Sequence, residues 1–180
     1  RDTGFAQLDF FSDPGAFTGS PRLASKIAVS RQDGLQLSFW DQLSCAKDKI
    51  VSIKNTSKTD AYIRVVFAFE DTNGIEEKLH LNVMDESAMQ AVCRVTVNGT
   101  PYRIYTYTYD EPLKAGETSA PSLLQFVFDT SLSRSDVEAA GGQYDMLVVA
   151  QAVQTGGFSD AASALNAVFG VVSEENHPWK

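Results

Sequence analysis

The chain has 180 residues, of which 15 are basic and 23 acidic, so its formal net charge at pH 7 is −8. This length is typical of one domain with a sizeable core. The negative charge argues against nucleic acid and anionic lipid as partners, because both are polyanions. No apolar run is long enough to span a bilayer, and no signal peptide is recognised. Because the chain opens at Arg1 rather than at a methionine, we expect either a processed form or a trimmed version of a longer chain.

The first element in chain order is the stretch GFAQLDFFSDP, whose residues alternate between two sides of an extended chain. We expect Leu8 and Phe10 to enter an apolar groove and Pro14 to end the strand. Residues 1–13 are therefore predicted to be an exchangeable strand, which pairs with its own domain or with the sheet edge of a neighbouring molecule. The candidate assembly residues of this strand are Phe5, Leu8, Phe10 and Phe11.

Period-two alternation recurs along the middle of the chain, which is typical of antiparallel strands with one buried face. In AYIRVVFAFED every odd position from Ala61 to Phe69 is apolar, whereas the even positions include Arg64 and Glu70. This pattern predicts a half-buried strand. The same alternation marks Leu35, Leu37 and Phe39; Val51 and Ile53; Leu79, Leu81 and Val83; and Leu124, Phe126 and Phe128.

Two Asn-Gly pairs predict tight turns, since both residue types tolerate the positive φ that a type I′ turn requires. Asn98 and Gly99 lie in VCRVTVNGTPYRIYTYTY, and this turn places Val95 opposite Tyr102 and Cys93 opposite Ile104. Asn73 and Gly74 lie in FAFEDTNGIEEKLHLNV and predict a second hairpin.

The carboxyl-terminal part contains a strand and two helical segments. The run YDMLVVAQAV is apolar on both sides, which predicts a central strand covered on both faces. In SRSDVEAAG, either Ser133 or Ser135 is the expected N-cap of a short helix. After Gly156 and Gly157, a second helix is expected to begin at Ser159 and end at Gly170. Its predicted apolar stripe is Ala162, Leu165, Ala167, Val168 and Phe169.

About ten short strands with two small helices predict an all-β fold: an antiparallel β-sandwich of jelly-roll type with two short helices. We assign residues 1–172 to a single β-sandwich domain and residues 173–180 to a mobile tail.

The sequence contains no recognisable catalytic or metal-binding motif, so we predict neither a cofactor nor an enzymatic activity. His80 and His177 belong to no known ligand spacing, and without a histidine base a serine is not activated. Cys45 and Cys93 are too few for a disulfide scaffold, and we expect both to stay reduced or only optionally paired. Cys93 is expected to be a small buried hydrophobe.

A row of three tyrosines, Tyr105, Tyr107 and Tyr109, falls on one side of the segment IYTYTYD. An aromatic row can stack against sugars or peptide. It is also common in ordinary strands, where aromatic residues are enriched. The row is therefore a candidate ligand surface for a glycan or a peptide, with a plain structural role as the alternative.

Three regions resemble the TasA/camelysin-like secreted proteins of Gram-positive bacteria, a family exported with a specialised signal peptidase. The first is FFSD at residues 10–13, similar to an F-[ST]-D stretch near the start of the mature family members. The second is KDKIVSIKNTSKTDAYIRVVFAFED, with an asparagine-containing turn followed by D-A-Y-I-R-V. The third comprises PLKAGETSAPSLLQFVFD and YDMLVVAQAVQTGGF. Together these regions span residues 10–158 and occur in the family's order.

The resemblance implies an extracellular jelly-roll domain in fibres of the cell surface or biofilm matrix, where the amino-terminal segment of one subunit completes the sheet of its neighbour. The implied partners are other copies of the chain or other matrix proteins. Some relatives are labelled proteases, but the sequence has no metal or triad motif to support that activity. We therefore expect a secreted, non-enzymatic structural protein. The alternatives are an extracellular glycan- or peptide-binding module and, less favoured, a camelysin-like protease.

Overall fold

The computed structural model describes residues 8–11, 30–31, 35–36, 46–129, 131–141 and 143–180. Within these ranges the chain is mainly β, with two short α-helices and one 3₁₀ segment at Thr72–Lys78. The α-helices are α1 (Arg134–Ala139) and α2 (Ala161–Phe169). The strands are β1 (Leu8–Phe11), β2 (Ser30–Arg31), β3 (Leu35–Gln36), β4 (Ala46–Asn55), β5 (Ala61–Glu70), β6 (Leu79–Asn82), β7 (Met89–Val97), β8 (Thr100–Thr108), β9 (Leu123–Phe128), β10 (Gln143–Tyr144) and β11 (Met146–Gln154).

The described strands form two main antiparallel sheets. Sheet I has the order β1-β4-β9-β6, and sheet II has the order β2-β11-β5-β8-β7. The short strands β3 and β10 pair separately. This arrangement is consistent with a β-sandwich, which confirms the predicted mainly-β class and the antiparallel pairing.

The main core contains apolar side chains from both sheets, and their removal from water is the largest favourable term in folding. Tyr144 of β10 joins this core: its ring centroid lies 5.1 Å from that of Phe128 and 6.0 Å from that of Phe126. Core residues from β4 and β9 of sheet I are Val51, Ile53, Leu123, Phe126 and Phe128, and those from β5 and β11 of sheet II include Ile63, Val65, Phe67, Phe69, Met146 and Val148.

Sheet II is covered on its other face as well. All ten residues of β5 are buried, so the prediction of a half-buried strand is wrong. The odd positions face the main core, as the alternation predicts. The even positions lie beneath α2 and beneath residues 171–180, which we call the strap. The prediction that β11 is covered on both faces is confirmed, since its first eight residues are all buried.

The two Asn-Gly pairs have different outcomes. Asn98 and Gly99 have φ values of 51° and 86°, and β7 pairs with β8 in the predicted register. Asn73 and Gly74 also have positive φ, at 53° and 74°. However, this turn joins β5 of sheet II to β6 of sheet I, so the second hairpin is wrong. The reason is the 3₁₀ segment, whose fully buried Ile75 packs in the core and carries the chain from one sheet to the other.

Both predicted helices are present. Ser133 caps α1 in a capping box with Asp136, which selects between the two predicted serines. The N-cap of α2 is Asp160 rather than Ser159, because the Asp160 carboxylate accepts a 2.7 Å hydrogen bond from the Ser163 backbone N–H. Gly170 ends α2 with a φ of 76°, as predicted. The predicted stripe is only partly right: the buried residues of α2 are Ala161, Ala164 and Leu165, whereas Ala162, Ala167 and Val168 are exposed.

Candidate functional site

The first candidate site is the edge of sheet I at which β1 lies. Within this single chain, β1 pairs antiparallel with β4. Its register places Phe10 opposite Ile53 and Leu8 opposite Asn55. Ile53 and Asn55 are both 0% exposed. Leu8 and Phe10, the residues that alternation predicts to enter a groove, therefore lie opposite fully buried positions of β4. Phe5 lies outside the described residues.

The opposite edge of β4 is occupied by residues 116–123. The Asn55 N–H donates to the Glu117 carbonyl at 2.9 Å, and the Ser119 N–H donates to the Ile53 carbonyl at 2.7 Å. Backbone groups of successive strand residues point to alternate edges. The N–H and C=O groups of Ser52 and Lys54 therefore point towards β1. This edge of β4 has room for one strand, and a strand from another molecule presents the same backbone groups.

Asn55 holds the end of β4 in this arrangement. Its Nδ2 donates to the Thr59 carbonyl at 2.8 Å and to the Leu113 carbonyl at 3.0 Å. Its Oδ1 accepts from the backbone N–H and the hydroxyl of Ser57. Asp60 adds a second tie by accepting from the Ala115 N–H at 3.1 Å. The loop between β4 and β5 and the segment before β9 are thus hydrogen-bonded to each other at the end of β4.

The candidate ligand surface of three tyrosines faces the main core. Tyr107 is 4% exposed, and its ring centroid lies 5.0 Å from that of Tyr109. The Tyr109 hydroxyl donates to the Ala120 carbonyl at 2.6 Å, and the Tyr105 hydroxyl donates to a carboxylate oxygen of Glu76. A stacking surface needs open ring faces, and this arrangement does not offer a row of three. The ligand surface stays a prediction that these contacts do not favour.

Titratable groups gather where β5 enters the 3₁₀ segment. Glu70 accepts from the Asp145 N–H at 2.9 Å and from the Thr72 hydroxyl at 2.7 Å. Glu76 is also buried. Burial of Tyr105, and then its hydrogen bond to Glu76, raise the pKa of the Tyr105 hydroxyl. The sequence patterns did not connect Glu70 and Glu76 with Tyr105 and Asp145, because those two residues come from distant segments. Glu70 and Glu76 are hydrogen-bonded within the described residues, whereas the nearby buried Asp71 Oδ1 and Tyr144 hydroxyl have no partner there.

Arg64 is a second group whose role the sequence analysis missed. It is 6% exposed, on the even face of β5. Its Nε donates to Gln151 Oε1 at 2.7 Å, its Nη1 to Asn166 Oδ1 at 2.9 Å and its Nη2 to the Gly170 carbonyl at 3.0 Å. A single arginine among apolar strand residues was the available signal. Burial lowers the pKa of Arg64 to about 10, so the guanidinium remains charged at neutral pH.

Both histidines and one of the two cysteines lie within the described residues. His80 Nε2 lies 3.3 Å from Asp129 Oδ2 on the surface, and His177 lies in the strap. Among the described residues, no group of three or more His, Cys, Asp or Glu could hold a metal ion. Cys93 is a free cysteine, half-buried beside the apolar face under the strap. Cys45 lies outside the described residues.

Two further findings concern the chain as a whole. No helix in the described part of the chain is long and apolar enough to cross a membrane. Comparison with protein-family models, with curated proteins and with solved structures finds no match to this chain.

Proposed function

We propose that this chain is a secreted structural protein of the cell surface or biofilm matrix, with a jelly-roll sandwich that self-assembles by exchange of its amino-terminal strand. The observation that carries the proposal is the β1–β4 pairing, in which β1 is the edge strand of sheet I among the described strands. The resemblance to TasA/camelysin-like proteins in FFSD and in the β4–β5 region supports the same function.

The physical basis of the exchange is that the pairing has the same partners within one chain or between two chains. Ser52 and Lys54 present backbone groups to β1 whichever molecule supplies it. The balance between the two states is then set by chain connectivity and concentration. An exchange between chains is heterologous, so each subunit donates one strand and accepts another. Such contacts propagate into a filament when they do not close into a ring.

Paired cysteines can distinguish donation from self-pairing. Asp9 and Lys54 are register partners, and their backbone groups make them a hydrogen-bonded pair. The Cα atoms of such a pair lie about 5.5 Å apart, which suits a disulfide. We expect a chain with Asp9→Cys and a mass-labelled chain with Lys54→Cys to form a mixed disulfide when they are assembled together. Both native cysteines are replaced by serine in these chains.

The matched control for this experiment replaces Lys54→Cys by Lys58→Cys, since Lys58 is exposed and lies beyond the register of β1. We expect no mixed disulfide with the control chain. A single chain that carries both cysteines at positions 9 and 54 reports self-pairing instead. Exclusive formation of that intramolecular disulfide, at concentrations where filaments are present, would contradict strand donation.

Truncation tests the same proposal by another route. Deleting residues 1–13 is expected to leave a folded domain that forms no filaments, as judged by electron microscopy and light scattering. Leu8→Asp and Phe10→Asp are expected to act similarly, because each places a charge opposite a fully buried position of β4. Truncated protein that still forms the same filaments would refute the proposal. A full chain that stays monomeric at every concentration would favour the glycan- or peptide-binding module.

The proposal also treats the protein as non-enzymatic. We expect the purified chain neither to retain about one transition-metal ion per molecule nor to cleave casein. Metal analysis and a casein assay with and without chelator test this expectation. Chelator-sensitive cleavage would instead favour the protease alternative.

A further inference from the structure

The strap covers an apolar area on the outer face of sheet II. The fully or nearly fully buried residues of this area come from three neighbouring strands, and half-buried residues of β7 extend it towards the sheet edge. The buried residues are Val66, Ala68, Tyr102, Ile104 and Leu147, and the half-buried ones are Val92, Cys93, Val95 and Val97. Because α2 covers only the other end of this face, near Tyr62 and Val153, residues 171–180 keep water from the rest.

Within the described part of the chain, few contacts attach the strap to the sheet and to α2. Val172 is buried and Trp179 is half-buried against the apolar area. Among the described residues, most of its hydrogen bonds are internal: Ser173 and Asn176 exchange backbone bonds, and Lys180 Nζ lies 3.0 Å from Glu175 Oε2. Asn176 Nδ2 connects it to the end of α2, through the Phe169 carbonyl at 2.9 Å.

Two buried polar atoms of the strap have no hydrogen-bond partner among the described residues. They are Nδ1 of His177 and Nε1 of Trp179, whose ring centroids lie 6.4 Å apart. An unpaired buried polar atom costs free energy, because it loses its hydrogen bonds to water. This cost falls on the closed strap alone, since both atoms regain water when the strap opens. A unit with few anchors and such costs is expected to open before the sheets unfold.

We propose that residues 171–180 are a pH-sensitive strap, which closes over the outer face of sheet II near neutral pH and detaches in mild acid when His177 becomes protonated. Protonation makes both ring nitrogens donors, so Nδ1 then carries a proton with no acceptor in the closed position. In the open position water accepts it.

The sign of the pH dependence follows from the surroundings of His177. Burial, and then the positive charge of Lys180, lower the pKa of His177 below its ordinary value of about 6.5. The other charged groups on this side, in the described part of the chain, are Glu175, paired with Lys180, and Glu174 and Arg103, whose charges both act on Cys93. The open strap binds the proton more tightly than the closed strap. Closure is therefore fully favoured above about pH 6.5 and weakens as pH falls below that value.

Hydrogen exchange of the intact chain measures strap opening directly. Mass spectrometry gives the exchange of peptides that cover residues 171–180, and division by the intrinsic exchange rate at each pH gives a protection factor. Between pH 8 and pH 5 we expect this factor to fall by up to about tenfold for each unit of difference between the open and closed pKa values of His177. Peptides of β5 and β11 are expected to keep their protection throughout.

The matched variant is His177→Gln, which retains a polar side chain but does not titrate. We expect its strap protection to be independent of pH over the same range. A Val172→Ala variant, which weakens an anchor and keeps the histidine, is expected to lower protection at every pH while keeping the pH dependence. Equal pH dependence in the native chain and in His177→Gln would overturn the proposal. So would a native strap without protection at pH 8, or one whose protection does not change with pH.

Discussion

Replacing Arg64 by methionine tests whether one buried cation attaches α2 to sheet II. Arg64 connects its own strand β5 to two other elements, because its acceptors are Gln151 on β11, Asn166 on α2 and the carbonyl of Gly170 at the end of α2. Methionine is of similar length and apolar, so the substitution leaves the site filled. It removes all three hydrogen bonds and leaves three acceptors unpaired.

The expected loss in the free energy of unfolding is the difference between two opposing contributions. Hydrogen bonds from a charged donor contribute about 1.5–3 kcal/mol each, so three of them contribute roughly 4.5–9 kcal/mol. Removal of the buried guanidinium also relieves a desolvation penalty of several kcal/mol, since none of its recorded acceptors is a carboxylate. We therefore expect Arg64→Met to lower the free energy of unfolding by about 2–4 kcal/mol. Loss of protection should begin in α2 and the strap.

Urea unfolding at pH 7 measures the overall effect, and hydrogen exchange locates it. The control is Arg134→Met, which removes an exposed ion pair with Glu138 four residues along α1 and should cost about 0.3–0.5 kcal/mol. A double-mutant cycle with Asn166→Ala isolates one of the three bonds. The reasoning is refuted if Arg64→Met costs no more than the control, or if α2 keeps its protection while the sheets lose theirs.

Three further substitutions test local features of the fold. Asn55→Asp replaces the donor to one buried and one partly buried carbonyl by an oxygen and should lower the free energy of unfolding by about 3 kcal/mol in urea; a change below 1 kcal/mol would show that Asn55 does not hold the end of β4. Asp136→Asn should cost about 1 kcal/mol at pH 7. Because hydrogen bonding from Lys78 and then Ser133 lowers the pKa of Asp136 to about 2, the native chain should lose that contribution as pH falls from about 4 to 2, and an equal acid slope in the variant would contradict this. Gly99→Ala should cost about 1–2 kcal/mol in thermal unfolding because φ is +86° there, whereas Gly156→Ala, with open space and no positive φ, should be nearly neutral; equal effects would exclude backbone strain.

Features that depend on neighbouring residues were predictable. The type I′ turn at Asn98 and Gly99 needs only two residues that accept positive φ, and the register of β7 with β8 follows from the position of that turn. The capping box at Ser133 is likewise contained in four consecutive residues. At α2, Ser159 and Asp160 are both good N-caps, so the pattern located the helix start to within one residue.

The candidate assembly strand was predictable in part, because alternation also depends only on neighbouring residues. Alternation alone separates Leu8 and Phe10 from their neighbours. It does not identify the partner strand, and it does not show that residues 116–123 already occupy the other edge of β4. For the tyrosine row, alternation gives one side of the strand but does not say whether that side faces water or the core.

The sequence by itself determined the turns, the strand periodicity and the helix caps, because each depends on backbone preferences and hydrogen bonds within a few residues. Only the tertiary structure decided that both faces of β5 are buried. The even face is covered by residues 161–180, about a hundred positions along the chain, and Arg64 finds its acceptors there. Hydrophobic burial has no direction or sequence range of its own. Whether the even face of β5 is covered therefore depends on where residues 161–180 fold back against sheet II.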